Sequence, residues 1–148
     1  MNYEIVTLEK KIIAGLTNRT GNNDPLCGKI IGGLWQKFMG EGIYNNLKNK
    51  VNEYSIGLYS DYDFSNNTYD VTVGAEVSEC ENAELSLKTI PGGKYALFSI
   101  TGDVVEDVSK AWEEIWTMPL ERTFSGDFEE YLSNDNGNAK INIYVALK

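Results

Sequence analysis

The sequence predicts an α+β fold in which a mainly antiparallel sheet carries two helices on one face. Short β-branched or alternating segments recur along the chain with hairpin-length links, which is typical of antiparallel strands. Two amphipathic segments have helical spacing, one in each half of the chain. The order of elements in the first half is repeated in the second, and this repetition indicates a pseudo-two-fold arrangement of strand-helix-strand-strand units.

The first half contains a strand, a helix and two further strands. β-branched and apolar residues over 3–16 predict one long or broken strand. Asp24 followed by Pro25 suits the start of a helix. The helix then carries an apolar residue at every fourth position, at Leu26, Ile30, Leu34 and Phe38. Strands are predicted at about 55–60 and 69–77, and the second of them alternates cleanly between apolar and polar residues.

The second half contains a strand pair, a helix and two final strands. The Pro-Gly-Gly sequence at 91–93 is a strong turn signal between strands at about 85–90 and 94–101. An acidic pair with capping-box spacing then opens a second amphipathic helix. The last strands, at about 128–132 and 140–147, flank a polar loop.

Length and composition set the scale of the fold. A chain of 148 residues with 42% hydrophobic residues is the size of one domain with a full core. We therefore expect a single domain over 1–148, built from half-repeats at about 1–80 and 81–148.

Charge and residue content exclude several functions. The net charge is −9, with 22 acidic and 13 basic residues, and the basic residues are scattered. Such a surface repels a phosphate backbone, so we expect no direct nucleic-acid partner. The absence of histidine removes the Ser-His-Asp and Cys-His nucleophile systems and the commonest zinc ligand. We expect neither a metal site nor a cofactor.

The sequence also predicts where the protein works. The first residues lack the basic and then apolar pattern of a signal peptide, and no segment approaches the length of a membrane span. Cys27 and Cys80 are far apart and belong to no metal-binding motif, so both are expected to be reduced thiols. These features favour a cytoplasmic protein with no membrane contact.

Glu129 is the residue at which the two halves differ most clearly, since the first half has Gly57 at the equivalent position. On a strand, Glu129 and Tyr131 share one face, and the pseudo-symmetry directs Tyr59 toward the same region. If the helices cover that face, the carboxylate is buried among aromatic rings. An unpaired buried carboxylate is costly and indicates a partner cation or proton chemistry. The alternative is that Glu129 faces solvent or pairs with a lysine.

Aromatic residues are the second signal, because the chain has nine tyrosines and three tryptophans. Aromatic walls with one acidic group suit flat cations through stacking and cation–π attraction. For Trp35, Trp112 and Trp116, pocket lining and core packing are both open. The acidic segment 61–63 lacks the further ligands of a calcium site and is expected to be a solvated turn.

Four motifs, in order along nearly the whole chain, carry a family resemblance. They are Ile56-Gly57-Leu58-Tyr59-Ser60-Asp61, Ile90-Pro91-Gly92-Gly93-Lys94-Tyr95-Ala96, the Trp112 helix ending in Pro119-Leu120, and Phe128-Glu129-Glu130-Tyr131-Leu132. With these motifs the chain resembles the GyrI-like family, the effector-binding domain found alone or fused to helix-turn-helix regulators of the AraC and MerR types.

The resemblance implies two βαββ-type repeats with a ligand cleft between the halves. It also implies that Glu129, the glutamate of the Phe-Glu-x-Tyr motif, sits in that cleft. No helix-turn-helix precedes the domain, so the resemblance is to a stand-alone member, and any regulatory role requires a separate chain. The asparagine-rich loops of the first half match nothing in the family and leave the ligand open.

Three functions remain open at this point. The first is a module that senses or sequesters a hydrophobic, cationic or aromatic compound, with Glu129 supplying charge and walls formed by Tyr59, Tyr95, Tyr131, Trp35, Trp112 and Trp116. The second is a hydrolase of reactive cyclopropane-bearing toxins, to which some stand-alone GyrI-like proteins are similar. In that case Glu129 is the catalytic base and Tyr131 or Tyr95 the acid. The third is a protein-interaction module of the gyrase-inhibitor type, whose acidic surface competes with DNA for an unknown partner.

Overall fold

The computed structural model describes residues 1–135 and 137–148 and confirms the predicted fold class. One eight-stranded sheet, in which every neighbouring pair is antiparallel, carries the helices. The strands are β1 (Glu4–Leu8), β2 (Lys11–Thr20), β3 (Ser55–Asp63), β4 (Thr68–Val77), β5 (Ser86–Ile90), β6 (Gly93–Gly102), β7 (Asp127–Asp135) and β8 (Asn138–Ala146). The helices are α1 (Cys27–Gly40), the short α2 (Ile43–Asn46) and α3 (Glu106–Thr117). None of the helices in the described ranges has both the length and the apolar character of a membrane span.

The predicted first strand is broken into β1 and β2. β1 pairs with β6, whereas β2 pairs with β4 and β5, so the two strands lie in different parts of the sheet. The last hairpin is longer than predicted, because its polar residues pair in register across the two strands, from Ser133 with Lys140 to Asp135 with Asn138. Asn136, in the predicted polar loop, lies outside the described residues.

The sheet has the predicted pseudo-two-fold symmetry. Its strand order is β1-β6-β8-β7-β3-β4-β2-β5. If β1, β2, β3 and β4 are exchanged with β5, β6, β7 and β8 respectively, the same strand order is obtained in the opposite direction. The axis therefore passes between β3 and β7, where Gly57 pairs with Glu129. The short first strand of each half pairs with a strand of the other half: β1 pairs with β6, and β5 pairs with β2.

Strand alternation gives the sheet two faces, and α1 and α3 cover the same one. Phe38 of α1 packs on apolar residues of β4, and Ile115 of α3 packs on apolar residues of β6 and β8. The opposite face has its own buried cluster, which includes Ile56, Leu58 and Phe128. Because β3 and β7 carry buried residues on both faces, the residues near the axis lie in the interior of the molecule.

The contact between β2 and β4 requires glycine at two facing positions. Gly15 and Gly74 are partners across these strands. A Cβ atom on Gly74 would overlap the carbonyl oxygen of Ala14, and one on Gly15 would overlap the carbonyl oxygen of Val73. Since both obstacles are backbone atoms of paired strands, they cannot move aside without breaking the ladder.

We predict that Gly74→Ala lowers the free energy of unfolding by at least about 2 kcal/mol, because overpacking forces the backbone apart. Urea unfolding followed by circular dichroism measures this change. Gly32→Ala is the matched control, since a Cβ there meets nothing within 4 Å on the exposed side of α1. The control should gain up to about 1 kcal/mol from helix propensity. Equal losses in the two variants would contradict the close-approach explanation.

Candidate functional site

Glu129 is buried in the covered face of the sheet, with only 2% of its surface exposed. Its carboxylate accepts three hydrogen bonds from aromatic side chains. The Oε2 atom accepts one from the Tyr59 hydroxyl at 2.9 Å and one from Trp112 Nε1 at 2.6 Å. The Oε1 atom accepts one from the Tyr131 hydroxyl at 2.5 Å. Among the described residues Glu129 forms no ion pair, so neither a solvent-facing position nor a lysine partner accounts for it.

The rings around Glu129 follow the pseudo-symmetry of the sheet. Trp112 meets Tyr59 edge to face with centroids 5.7 Å apart, and Trp35 meets Tyr131 in the same way at 4.9 Å. We call these four side chains the aromatic cage. The two pairs are related by the axis, so each half of the chain contributes one tyrosine and one tryptophan.

Gly57 creates the space that the carboxylate occupies. It faces Glu129 directly across β3 and β7. A Cβ on Gly57 would lie 3.2 Å from Oε1 of Glu129 and 3.4 Å from Cζ2 of Trp35, both tighter than or at the limit of ordinary contact. The symmetric positions therefore hold one carboxylate and one empty side-chain volume, which places a single charge on the axis.

Burial dominates the electrostatics of the cage. It raises the pKa of Glu129, and the hydrogen bonds from Tyr131, Trp112 and Tyr59 oppose that shift. Burial and the Glu129 charge hold the pKa of the Tyr59 and Tyr131 hydroxyls well above the ordinary value of 10.0. Both hydroxyls therefore keep their protons and act as donors to the carboxylate.

A cavity of about 600 Å³ lies between α1 and α3. Tyr59 and Trp112 line its inner end, and the carboxylate that they share lies directly behind them. Trp116, which is 53% exposed, stands at the cavity on the α3 side. Cys27 and Ile31 line it from α1. The cavity thus lies between the two halves of the chain.

The other predicted site residues lie elsewhere. Trp35 and Tyr131 complete the cage but do not line the cavity. Tyr95 is 1% exposed and lies on the opposite face of the sheet, where it packs against Phe128 and its hydroxyl donates to the Pro91 carbonyl at 2.5 Å. Alternation along β6 directs the neighbours of Tyr95 toward α3 and Tyr95 itself away from it. The structure therefore does not bring Tyr95 to the cage.

Four cavity-lining rings did not emerge from the sequence: Tyr62, Phe64, Tyr69 and Phe124. The segment 61–63 was expected to be a solvated turn, but it forms the end of β3. Asp61 has a positive φ of 53°, and the pairing of β3 with β4 shifts register there. This bulge resets the alternation of the strand and turns Tyr62 into the cavity. Simple period-two counting would have placed Tyr62 on the face opposite Tyr59.

Asp127 is a second buried carboxylate beside the cavity, two residues before Glu129 on the same face of β7. It is fully buried, and its Oδ2 atom accepts from Arg122 Nη2 and from the Tyr62 hydroxyl, each at 2.7 Å. Its Oδ1 atom accepts from the backbone N–H of Ala146 at 2.8 Å. Asp127 therefore has a cation supplied by the chain, whereas the described part of the chain supplies none to Glu129.

One family model and several solved structures are similar to this chain. The family model Cass2, described as integron-associated effector binding protein, matches residues 4–147. The fold is similar to that of SAV2435, whose structure was solved bound to tetraphenylphosphonium, with a TM-score of 0.82, 20% identity, and coverage of 100% of this chain and 94% of that one. It is also similar to an integron cassette protein from the mobile metagenome of Vibrio cholerae, with a TM-score of 0.76, 28% identity, and coverage of 99% and 95%. A search of curated proteins gives no match.

The raised pKa of Glu129 links folding to pH. A carboxyl group with a raised pKa binds its proton more tightly in the folded state than in the unfolded chain. Its contribution to stability is therefore largest at low pH and is lost as the pH rises from the ordinary value of 4.5 through the raised value. We predict that the free energy of unfolding of the wild type, minus that of Glu129→Gln, falls in urea titrations as the pH is raised from 4.5 toward neutrality. A constant difference over this range would contradict the raised pKa.

Proposed function

Because the chain belongs to the family of integron-associated effector-binding proteins, we propose that it binds a hydrophobic aromatic cation in the cavity between α1 and α3. In this proposal the aromatic cage and Glu129 recognise the charge. Binding serves to sense or sequester the compound.

The uncompensated charge of Glu129 carries this proposal. Removing a carboxylate from water is expensive unless a cation or sufficient hydrogen bonds compensate. Asp127 shows the compensated case within the same strand, since Arg122 pairs with it at 2.7 Å. Glu129 has three neutral donors and, among the described residues, no cation. A cation bound in the cavity would compensate this charge from the other side of Tyr59 and Trp112.

Tyr59 and Trp112 connect the Glu129 carboxylate to the cavity. Each donates its polar hydrogen to Oε2 of Glu129 and presents its ring at the inner end of the cavity. Donation to a carboxylate increases the electron density of the donor ring. The faces of both rings therefore attract a cation more strongly than isolated rings do. The carboxylate contributes without needing direct contact with the ligand.

The rest of the cavity suits the apolar part of such a ligand. A volume of about 600 Å³ is in the range that holds drug-sized molecules. The rings of Tyr62, Tyr69 and Phe124 offer flat surfaces for stacking or edge-to-face contact. Tetraphenylphosphonium, the ligand in the SAV2435 structure, combines one positive charge with four phenyl rings. It is therefore a suitable probe for this chain.

Isothermal titration with tetraphenylphosphonium tests the proposal. We predict that Glu129→Gln raises the Kd at least about tenfold, because the isosteric amide keeps the shape of the cage and removes its charge. Glu130→Gln is the matched control. Glu130 is the next residue, is 8% exposed, carries the same charge and points to the opposite face of the sheet. Its replacement should leave the Kd unchanged.

Two outcomes would count against the proposal. If both variants weaken binding equally, the effect comes from overall charge and not from the cage. If Glu129→Gln binds as tightly as the wild type while circular dichroism shows an intact fold, the carboxylate does not recognise the ligand.

A further inference from the structure

Arg122 has a buried donor that the protein does not use. Its Nη2 atom pairs with Asp127, but its Nε atom is buried and has no acceptor within residues 1–135 and 137–148. The guanidinium lies over the Phe124 ring, 4.2 Å from the centroid, and both side chains line the cavity. Buried N–H groups in folded proteins nearly always have an acceptor, so this one requires an explanation.

The wall around Arg122 has the features of a binding surface. Phe124 has a positive φ of 57°, a conformation that L side chains rarely adopt without a compensating contact. Phe64, which meets Phe124 edge to face at 5.0 Å, is 64% exposed. Phe124 in turn lies over the guanidinium of Arg122. Because Nε itself is buried, a ligand in the cavity reaches it only by displacing part of this wall.

A row of rings connects this region to the cage. Tyr59 meets Tyr69 at 5.6 Å, Tyr69 meets Tyr62 at 5.8 Å, and Tyr62 meets Phe124 at 5.7 Å between centroids. One elongated aromatic molecule lying along this row can therefore reach from the charged end at Tyr59 to Arg122. The row gives the cavity an inner and an outer end with different chemistry.

We infer that Arg122 forms a second subsite, which binds an uncharged hydrogen-bond acceptor of the ligand through Nε. This inference rests on the proposed function and specifies its ligand class. The ligand is an aromatic cation that carries a carbonyl or ether oxygen away from its charge. A carboxylate is disfavoured at this position, because Asp127 already neutralises Arg122 and the cavity is also lined by Asp63 and Glu113.

A pair of matched cations tests the inference. One is tetraphenylphosphonium with a para-acetyl group on one ring, and the other has a para-isopropenyl group, which has nearly the same shape but no acceptor. The wild type should bind the acetyl compound about tenfold more tightly, the effect of one hydrogen bond to a charged donor. Arg122→Lys keeps a positive charge beside Asp127 and removes the donor at the Nε position, so it should bind the two compounds equally.

Nuclear magnetic resonance on the wild type identifies the donor directly. The chain has two arginines, Arg19 and Arg122. Arg19 Nε donates to Thr68 Oγ1 at 3.3 Å, and its resonance is therefore an internal reference that Arg19→Lys assigns. The acetyl cation should move the Arg122 Nε–H resonance downfield and leave that of Arg19 in place. The isopropenyl cation should not move the Arg122 resonance downfield.

The outcomes separate this inference from the proposed function. If both cations bind the wild type equally, or if Arg122→Lys keeps the tenfold preference, the second subsite does not exist, whereas cation binding through Glu129 stands. If neither cation binds, both the subsite and the proposed function are overturned.

Discussion

One buried carboxylate beside the pseudo-two-fold axis determines the chemistry of the central site. Repetition of a unit with two strands, a long helix and two further strands produces a site with equivalent rings on both sides, and a symmetric site carries either two charges or none. The pairing of Gly57 with Glu129 breaks the symmetry at one position only. A second carboxylate at Gly57 would face the first within the same small volume, and like charges so close cannot both be ionised. Glycine at this position is the arrangement that keeps one charge and gives it space.

The cage stabilises the charge without neutralising it. Three aromatic side chains donate hydrogen bonds to the two carboxylate oxygens of Glu129, and all three donors are neutral. The neighbouring Asp127 shows that the chain can bury a carboxylate with its own guanidinium, so the absence of one at Glu129 is a property of that position among the described residues. In the proposed function, a cation of the chain beside Glu129 would leave no charge to attract a ligand. Binding sites commonly retain local instability such as a buried charge without a cation.

Much of the fold was predictable, because it depends on period and order along the chain. Glu129 can be identified by comparing the two halves of the sequence, because the first half has Gly57 at the equivalent position. Tyr95 was assigned to the site because the sequence does not tell which face of β6 meets the helices; that depends on register with β8. Tyr62 was missed because a bulge at Asp61 resets the alternation of β3, and such a bulge has no signal in hydrophobic periodicity. The final hairpin is longer than predicted because the residues that extend it are polar, and a polar segment without apolar alternation has the pattern of a loop.

The symmetric cage and the asymmetric cavity have different consequences for recognition. The cage is built from paired strands and the two longer helices, so its geometry is fixed by the whole sheet. The outer wall, in contrast, is built from the hairpin between β3 and β4 and from the segment that precedes β7, which contribute Phe64 and Phe124. Residues in such connecting segments can change without disturbing the sheet. In the proposed function, attraction for a positive charge therefore depends on the fold of this chain, whereas the shape and polar groups of the preferred compound depend on a few side chains at the outer end. Two proteins with the same cage can consequently select different cations.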